Sequence, residues 1–144
     1  MASVMKADPS RHATVVPAIE GAGAALSYKA GDLIKIATGV VVTATAGAIH
    51  GIALEDATGV SATATMIELI DQDTVYVTPY KAATTVNTTS MHVIHDFVFT
   101  TPGAFTLDES GATTDCYVVG TLDPWGTTSG KLLWKIKPAC TIHG

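Results

Sequence analysis

Asp71 and Asp73 stand two residues apart in a polar stretch, a spacing at which two carboxylates can share a divalent cation. A calcium loop of the EF-hand kind also needs further oxygen ligands, a glycine at its sixth position and a closing glutamate, all missing here, so the pair reads as a charged turn. His92, His95 and Asp96 are donors of the right type for zinc. On a strand, however, residues three apart point to opposite faces, and one metal reaches both histidines only across a bulge. Gly126 to Lys131 spells Gly-Thr-Thr-Ser-Gly-Lys, one residue short of a phosphate loop and followed by Leu132 where Ser or Thr should stand. Gly59-Val60-Ser61-Ala62-Thr63 lacks the second glycine of a nucleophile elbow. The carboxylate pairs Glu55/Asp56 and Asp108/Glu109 are sequence neighbours in turns, and adjacent residues rarely converge on one substrate as acid and base. Asn87-Thr88-Thr89 is a glycosylation pattern without a leader to bring it to the machinery. No catalytic, cofactor-binding or metal-ligating residue emerges, and the chain is expected not to be an enzyme.

The charges point the same way. The net charge is −5, with eight Lys and Arg residues scattered along 144 positions. Nucleic-acid binding needs a patch that neutralises phosphates, and only Lys131, Lys135 and Lys137 approach one. Their shared parity on a strand predicts a solvent-facing strand edge that discourages aggregation, so no nucleic acid is expected as partner. Charged residues are 15% of the chain and apolar ones 47%, against a charged share of about 25% in ordinary domains. Uncharged Thr, Ser and Ala must therefore cover much of the surface, or partners must. No apolar h-region opens the sequence and no window of 18 apolar residues occurs, which predicts neither secretion by a signal peptide nor a membrane-spanning helix. Cys116 and Cys140 form no Cys-x-x-Cys pattern and read as buried thiols.

The elements that would position any site are strands. Thr occurs 22 times, and Thr, Val and Ile dominate the segments between glycine-containing turns. The expected fold is all-β with little helix: a small β-barrel or β-sandwich of about ten short strands, one domain over residues 14–144 behind a flexible N-terminal arm over 1–13. Thr14 to Ile19 is a strand placed at a sheet edge by Pro17. Leu33 to Ala37 and Val40 to Ala44 flank Thr38-Gly39 as a hairpin, and Ala64 to Ile70 and Thr74 to Pro79 flank the Asp71 turn as another. Ala48 to Leu54 fits a strand or a helical spacing equally. Asp123-Pro124-Trp125-Gly126 is a turn whose Trp125 either stands exposed, as interface anchors do, or folds back over the end of the domain.

Two runs, Lys29-Ala30-Gly31-Asp32-Leu33-Ile34-Lys35-Ile36 and Gly51-Ile52-Ala53-Leu54-Glu55-Asp56-Ala57-Thr58-Gly59, resemble the capsid decoration (cement) proteins of tailed bacteriophages. In that group a Gly-Asp-Leu-Val strand, a Gly-Val-Ala-Leu-Glu-Asp-Ala strand and an acidic turn recur at about this separation. The likeness covers residues 14–70; beyond them only the style of short Thr- and Val-rich strands persists. It implies a β-tulip-like domain, without catalytic residues or cofactor, that docks on the outside of an assembled head in the virion. The partners it implies are the major capsid protein and further copies of the chain, commonly as a trimer at threefold or quasi-threefold positions. No membrane partner is implied. Capsid contacts are expected from the arm, through Ala2, Ser3, Val4, Met5, Lys6, Asp8, Pro9 and Arg11, and from Trp125, because the arm can extend and the Trp can anchor. A phage tail-tube or baseplate component is the alternative structural reading. A small β-barrel ligand-binding module is a third, although His50, His92, His95 and His143 lack the spacing of a cupin metal site.

Overall fold

The computed structural model describes residues 4–8, 14–21, 28–45, 47–80, 94–99, 105–108 and 115–141. These residues are nearly all β, with no α-helix. In chain order the strands are β1 (Met5–Lys6), β2 (Thr14–Ile19), β3 (Leu33–Ala37), β4 (Val40–Thr43), β5 (Gly51–Ala53), β6 (Ala64–Leu69) and β7 (Tyr76–Pro79), followed by β8 (Ile94–Phe99), β9 (Phe105–Asp108), β10 (Cys116–Thr121) and β11 (Lys131–Ile136), with a 3-10 turn at Pro138–Cys140. They form two antiparallel sheets: sheet 1 in the order β1-β7-β11-β10-β8-β9 and sheet 2 in the order β2-β6-β5-β3-β4.

Of the expected barrel or sandwich, two antiparallel sheets form and no barrel closes. Each sheet curls until distant segments meet, among the described residues at one parallel bridge each, Glu20 to Val41 in sheet 2 and Tyr80 to Leu107 in sheet 1. At the first seam, a Cβ on Gly21 would press to within 3.1 Å of Val40 and 3.2 Å of Val42, so a glycine lets the strands approach there.

The core explains why β3 opens on two adjacent buried apolar residues, Leu33 and Ile34. Ile34, Val41, Ala53, Ile67 and Tyr28 fill the concave side of sheet 2, while Leu33 and Ile52, on the opposite face, join Tyr76, Leu132, Trp134 and Ile136 of sheet 1 in the main core. Sheet 2 is covered on both faces at β3, and a strand buried twice cannot alternate polar with apolar. The Trp134 ring stacks on Tyr76 with centroids 5.0 Å apart, and its Nε1–H donates to the Thr78 hydroxyl at 2.9 Å.

Pro17 stands on an edge strand as expected, since β2 ends its sheet. The ladder phase shows why it is tolerated. Glu20 N donates to Thr63 O, so alternate residues of β2 bond to β6 and Pro17, three residues back, falls on a non-bonded pair where its missing N–H would face outward. The β3–β4 hairpin also forms, with Thr38 and Gly39 both at positive φ (48° and 83°) as a two-residue type I′ turn requires.

Three sequence expectations change. Ala64–Leu69 and Tyr76–Pro79 are not a hairpin: β6 belongs to sheet 2 and β7 to sheet 1, and the Asp71 turn carries the chain between sheets. The turn chemistry was legible but not its destination. Asp71 accepts from Asp73 N at 2.8 Å and from the Thr74 hydroxyl at 3.2 Å, while Asp71 N donates to the Tyr76 hydroxyl at 3.0 Å, which turns Tyr76 into the main core. Lys131 and Lys135 lie on no edge, because β11 sits between β7 and β10; Lys137 follows the strand's end. Residues 4–8, expected in a flexible arm, are held by the domain: Met5 and Lys6 pair with Val77 and Tyr76, Val4 is buried in the main core, and Lys6 Nζ lies 3.2 Å from Glu68 Oε1 of sheet 2. This strap ties the two sheets together.

One histidine is built into the ladder. β5 begins only at Gly51, leaving the Ile36 N–H of β3 without a strand partner, and His50 Nδ1 accepts it at 2.8 Å. Burial first, and Lys35 second, hold the His50 pKa below its ordinary value of 6.5. The unfolded chain therefore binds the proton more readily, so this group's contribution to stability falls as pH drops from 6.5 through the lowered folded value and then levels off. In His50→Gln, whose amide oxygen can still accept from Ile36, the melting temperature is expected to lose that part of its pH dependence. Difference curves between wild type and variant from pH near 7.5 down to about 5 read this directly, and identical slopes would contradict it.

Candidate functional site

The residues that resemble a family signature are explained by packing before any binding is invoked. Gly31 (φ 91°) turns the chain so that Asp32 Oδ2 accepts from Lys29 N at 2.8 Å, and Asp32 is completely buried. The acidic turn docks on this one: Asp56 Oδ1 accepts from Ala30 N at 2.9 Å and Asp56 Oδ2 lies 3.4 Å from Lys29 Nζ. The Ala30 amide foremost, and Lys29 with it, hold the Asp56 carboxyl below the usual range. Glu20, buried at the seam, accepts from Thr58 N, the Thr58 hydroxyl and Gly59 N at 2.9 to 3.2 Å. Glu55 Oε2 accepts from the Thr65 hydroxyl at 3.3 Å. These carboxylates are committed to turns.

The other chemical candidates fare similarly. A cleft of about 320 Å³ opens beside Glu68, Asp71, Asp73, Tyr76 and Thr141, but Asp71 is engaged within its own turn and Glu68 with Lys6. No group of three or more His, Cys, Asp or Glu suited to a metal occurs among the described residues. His95 falls in β8 opposite Cys116, whereas His92 and Asn87 lie outside the described residues. Cys116 and Cys140 are buried thiols; burial, reinforced by the Asp115 carboxylate 3.8 Å away, pushes Cys140 up to about 11, leaving it mostly protonated and a poor nucleophile. No helix among the described residues is long and apolar enough to cross a membrane.

The surface offers more. Of the expected contact residues, Ala2, Ser3, Pro9 and Arg11 lie outside the described residues. Val4 is buried, Lys6 is paired with Glu68, Asp8 is exposed, Met5 is 50% exposed and Trp125 60% exposed. Trp125 thus does not fold back over the domain. Its turn is fixed from below: Thr127 N and the Thr127 hydroxyl donate to Pro124 O, Lys131 N donates to Asp123 Oδ2 at 2.6 Å, and Gly126 takes φ 92°.

Register places β1 on the flank of sheet 1 beside β7. Met5 lies opposite Val77 and Lys6 opposite Tyr76, so Val4 stands toward the end where Pro79 pairs with Lys131, next to the Asp123–Gly126 turn, while Ala7, whose N–H donates to Val75 O, stands toward the other end. The outer face between them is mixed apolar and cationic. Met5, Val77, Leu133 and Gly120 form one cross-strand row, and Tyr117 stands opposite Lys135. Leu122, more than half exposed, extends this surface to the turn. Sequence reasoning missed Tyr117 and Leu122, although the alternation of buried Cys116 and Val118 with Tyr117 carried the signal.

No family model, curated protein or solved structure matches this chain.

Proposed function

We propose that this chain is a structural virion protein, a decoration protein that binds the exterior of an expanded phage capsid and stabilises the head against internal pressure. On this reading its partners are the major capsid protein and further copies of itself, in a trimer at threefold or quasi-threefold sites, with no nucleic acid, membrane, cofactor or catalysis involved. The observation that carries it is the exposed Trp125, held on a hydrogen-bonded turn at the end of sheet 1. An aromatic ring kept in solvent on a hydrogen-bonded turn is the chemistry of an interface anchor. The resemblance of residues 29–36 and 51–59 supplies the class of partner, and the net charge of −5 suits a surface remote from packaged DNA.

Binding only the expanded shell stabilises it by mass action, and an oligomer that bridges capsomers gains from high effective concentration once one contact forms. Purified protein is therefore expected to co-sediment saturably with expanded heads assembled without it and to raise the temperature at which they release DNA. Trp125→Ala should weaken that binding by about 30-fold, the effect of losing a ~2 kcal/mol anchor, with its own melting temperature unchanged. Absence of binding to both expanded and immature shells sinks the reading.

A further inference from the structure

The lysines of this acidic chain differ in what their ammonium groups meet. Among the described residues, Lys6 Nζ lies 3.2 Å from Glu68 Oε1, Lys29 Nζ lies 3.4 Å from Asp56 Oδ2, Lys35 Nζ donates to the Thr45 hydroxyl at 3.0 Å, and Lys137 has a contact of its own. Lys131 and Lys135 have no carboxylate of the described residues within ion-pair distance. Both stand on β11, where Leu132, Trp134 and Ile136 are buried in the main core and the alternate residues Lys131, Leu133 and Lys135 face outward. At about 3.3 Å per residue the two cations leave one face roughly 13 Å apart. The ground between them is uncharged. Leu133 lies midway and leans over Gly120, where a Cβ would come within 3.1 Å of it, and Tyr117, 36% exposed, stands opposite Lys135. Carboxylates occur at the borders of the face. Asp123 Oδ2 accepts from Lys131 N at 2.6 Å, while Asp73 and Asp8, the latter with a contact of its own, line a cleft beside Val75 and Leu133.

We infer that this face receives an acidic protein surface, one that sets carboxylates over Lys131 and Lys135 and lays apolar side chains on Leu133 and Tyr117. The inference gives the partner chemistry of the proposed capsid contact and rests on that reading, in which the acidic surface belongs to the expanded shell. A chain with thirteen Asp and Glu residues leaves these two cations without an internal partner, and a carboxylate from outside would offset the cost of taking them out of water. A basic partner would meet two uncompensated like charges at the middle of the face and find its counter-charges only at the borders. Nucleic acid is the other polyanion, but strong duplex binders neutralise about 6–10 phosphates, which two lysines on either side of an apolar patch do not. Apolar contact flanked by charge pairs is the chemistry of a protein interface. The cation row also starts at the anchor, because Lys131 N closes the Trp125 turn through Asp123. Trp125 then supplies affinity, and the lysines fix orientation.

Co-sedimentation of the full chain with expanded heads over a series of salt concentrations tests this. Wild-type affinity is expected to fall as salt rises. Lys131→Glu and Lys135→Glu should each weaken binding by about tenfold at low salt, and the double reversal should remove most of the salt dependence, with the melting temperature unchanged. Trp125→Ala should lower affinity yet keep the wild-type salt dependence, and Asp73→Lys, which replaces a border carboxylate by a cation, should tighten binding. Should a reversal not fold, Lys131→Gln and Lys135→Gln read the same contacts. Heads that bind wild type and the reversals alike, or the reversals more tightly, overturn the inference and leave the proposed function standing. Heads that ignore wild type overturn both. A short DNA duplex bound as tightly as heads by wild type, and released by the double reversal, gives the face to nucleic acid and likewise overturns the inference.

Discussion

Replacing Trp134 with alanine should destabilise the domain by about 3–5 kcal/mol, the range for deleting a fully buried aromatic side chain. Three losses combine. The ring is completely buried at the centre of the main core, between residues of both sheets. Its removal leaves a cavity that the surrounding strands fill only in part, because β11 is held by ladders on both sides and cannot collapse inward. It also removes the stacked partner of Tyr76 and leaves the buried Thr78 hydroxyl without the indole donor. Set against a total stability of about 5–15 kcal/mol, the change leaves little or no margin. Chemical denaturation of Trp134→Ala and Trp134→Phe separates the parts. Phe keeps most of the packing and loses the N–H, so its cost should be about 1–3 kcal/mol. A Phe variant as unstable as the Ala variant would mean that the lost hydrogen bond outweighs the lost volume.

How much of this was legible beforehand depends on the range of the signal. The β character came from composition, and the β3–β4 hairpin from Thr38-Gly39, because both signals are local and act through backbone preference. Pro17 located an edge strand by the same logic. What failed was partnership across distance. The Asp71 turn looks like any hairpin turn, and only the burial of Tyr76 among residues far away in sequence sends β7 to the other sheet. The lysines of β11 alternate as an edge strand's would, and their place in the middle of sheet 1 follows from pairing with β7 and β10, which a parity pattern does not encode. In the candidate site, Trp125 was visible as a residue type in a turn.

Gly51 shows how a signature residue can be structural, and its replacement is the second large effect expected. β5 runs between β6 and β3, and Gly51 pairs with Leu69 on one side and Ile34 on the other. A Cβ at this position would sit 2.6 Å from the Glu68 carbonyl oxygen and 3.2 Å from the Ile34 side chain. The first of these is backbone and cannot swing away, so Gly51→Ala must push β6 from β5 and strain the short ladder through Ile52 and Ala53 that joins the sheet's halves. Glu68 also holds the Lys6 strap, so the displacement reaches sheet 1. The cost should lie at or above the ~3 kcal/mol upper end of ordinary overpacking. Gly120→Ala is the matched control: its Cβ would meet only the tip of Leu133, at 3.1 Å, which can rotate, and the cost should stay under about 1 kcal/mol. Denaturation midpoints of the two variants decide the matter. A difference within about 0.5 kcal/mol, the scatter of ordinary surface changes, would mean that β5 and β6 separate freely and that the glycine of the Gly-Ile-Ala-Leu-Glu-Asp-Ala run is retained for something other than packing.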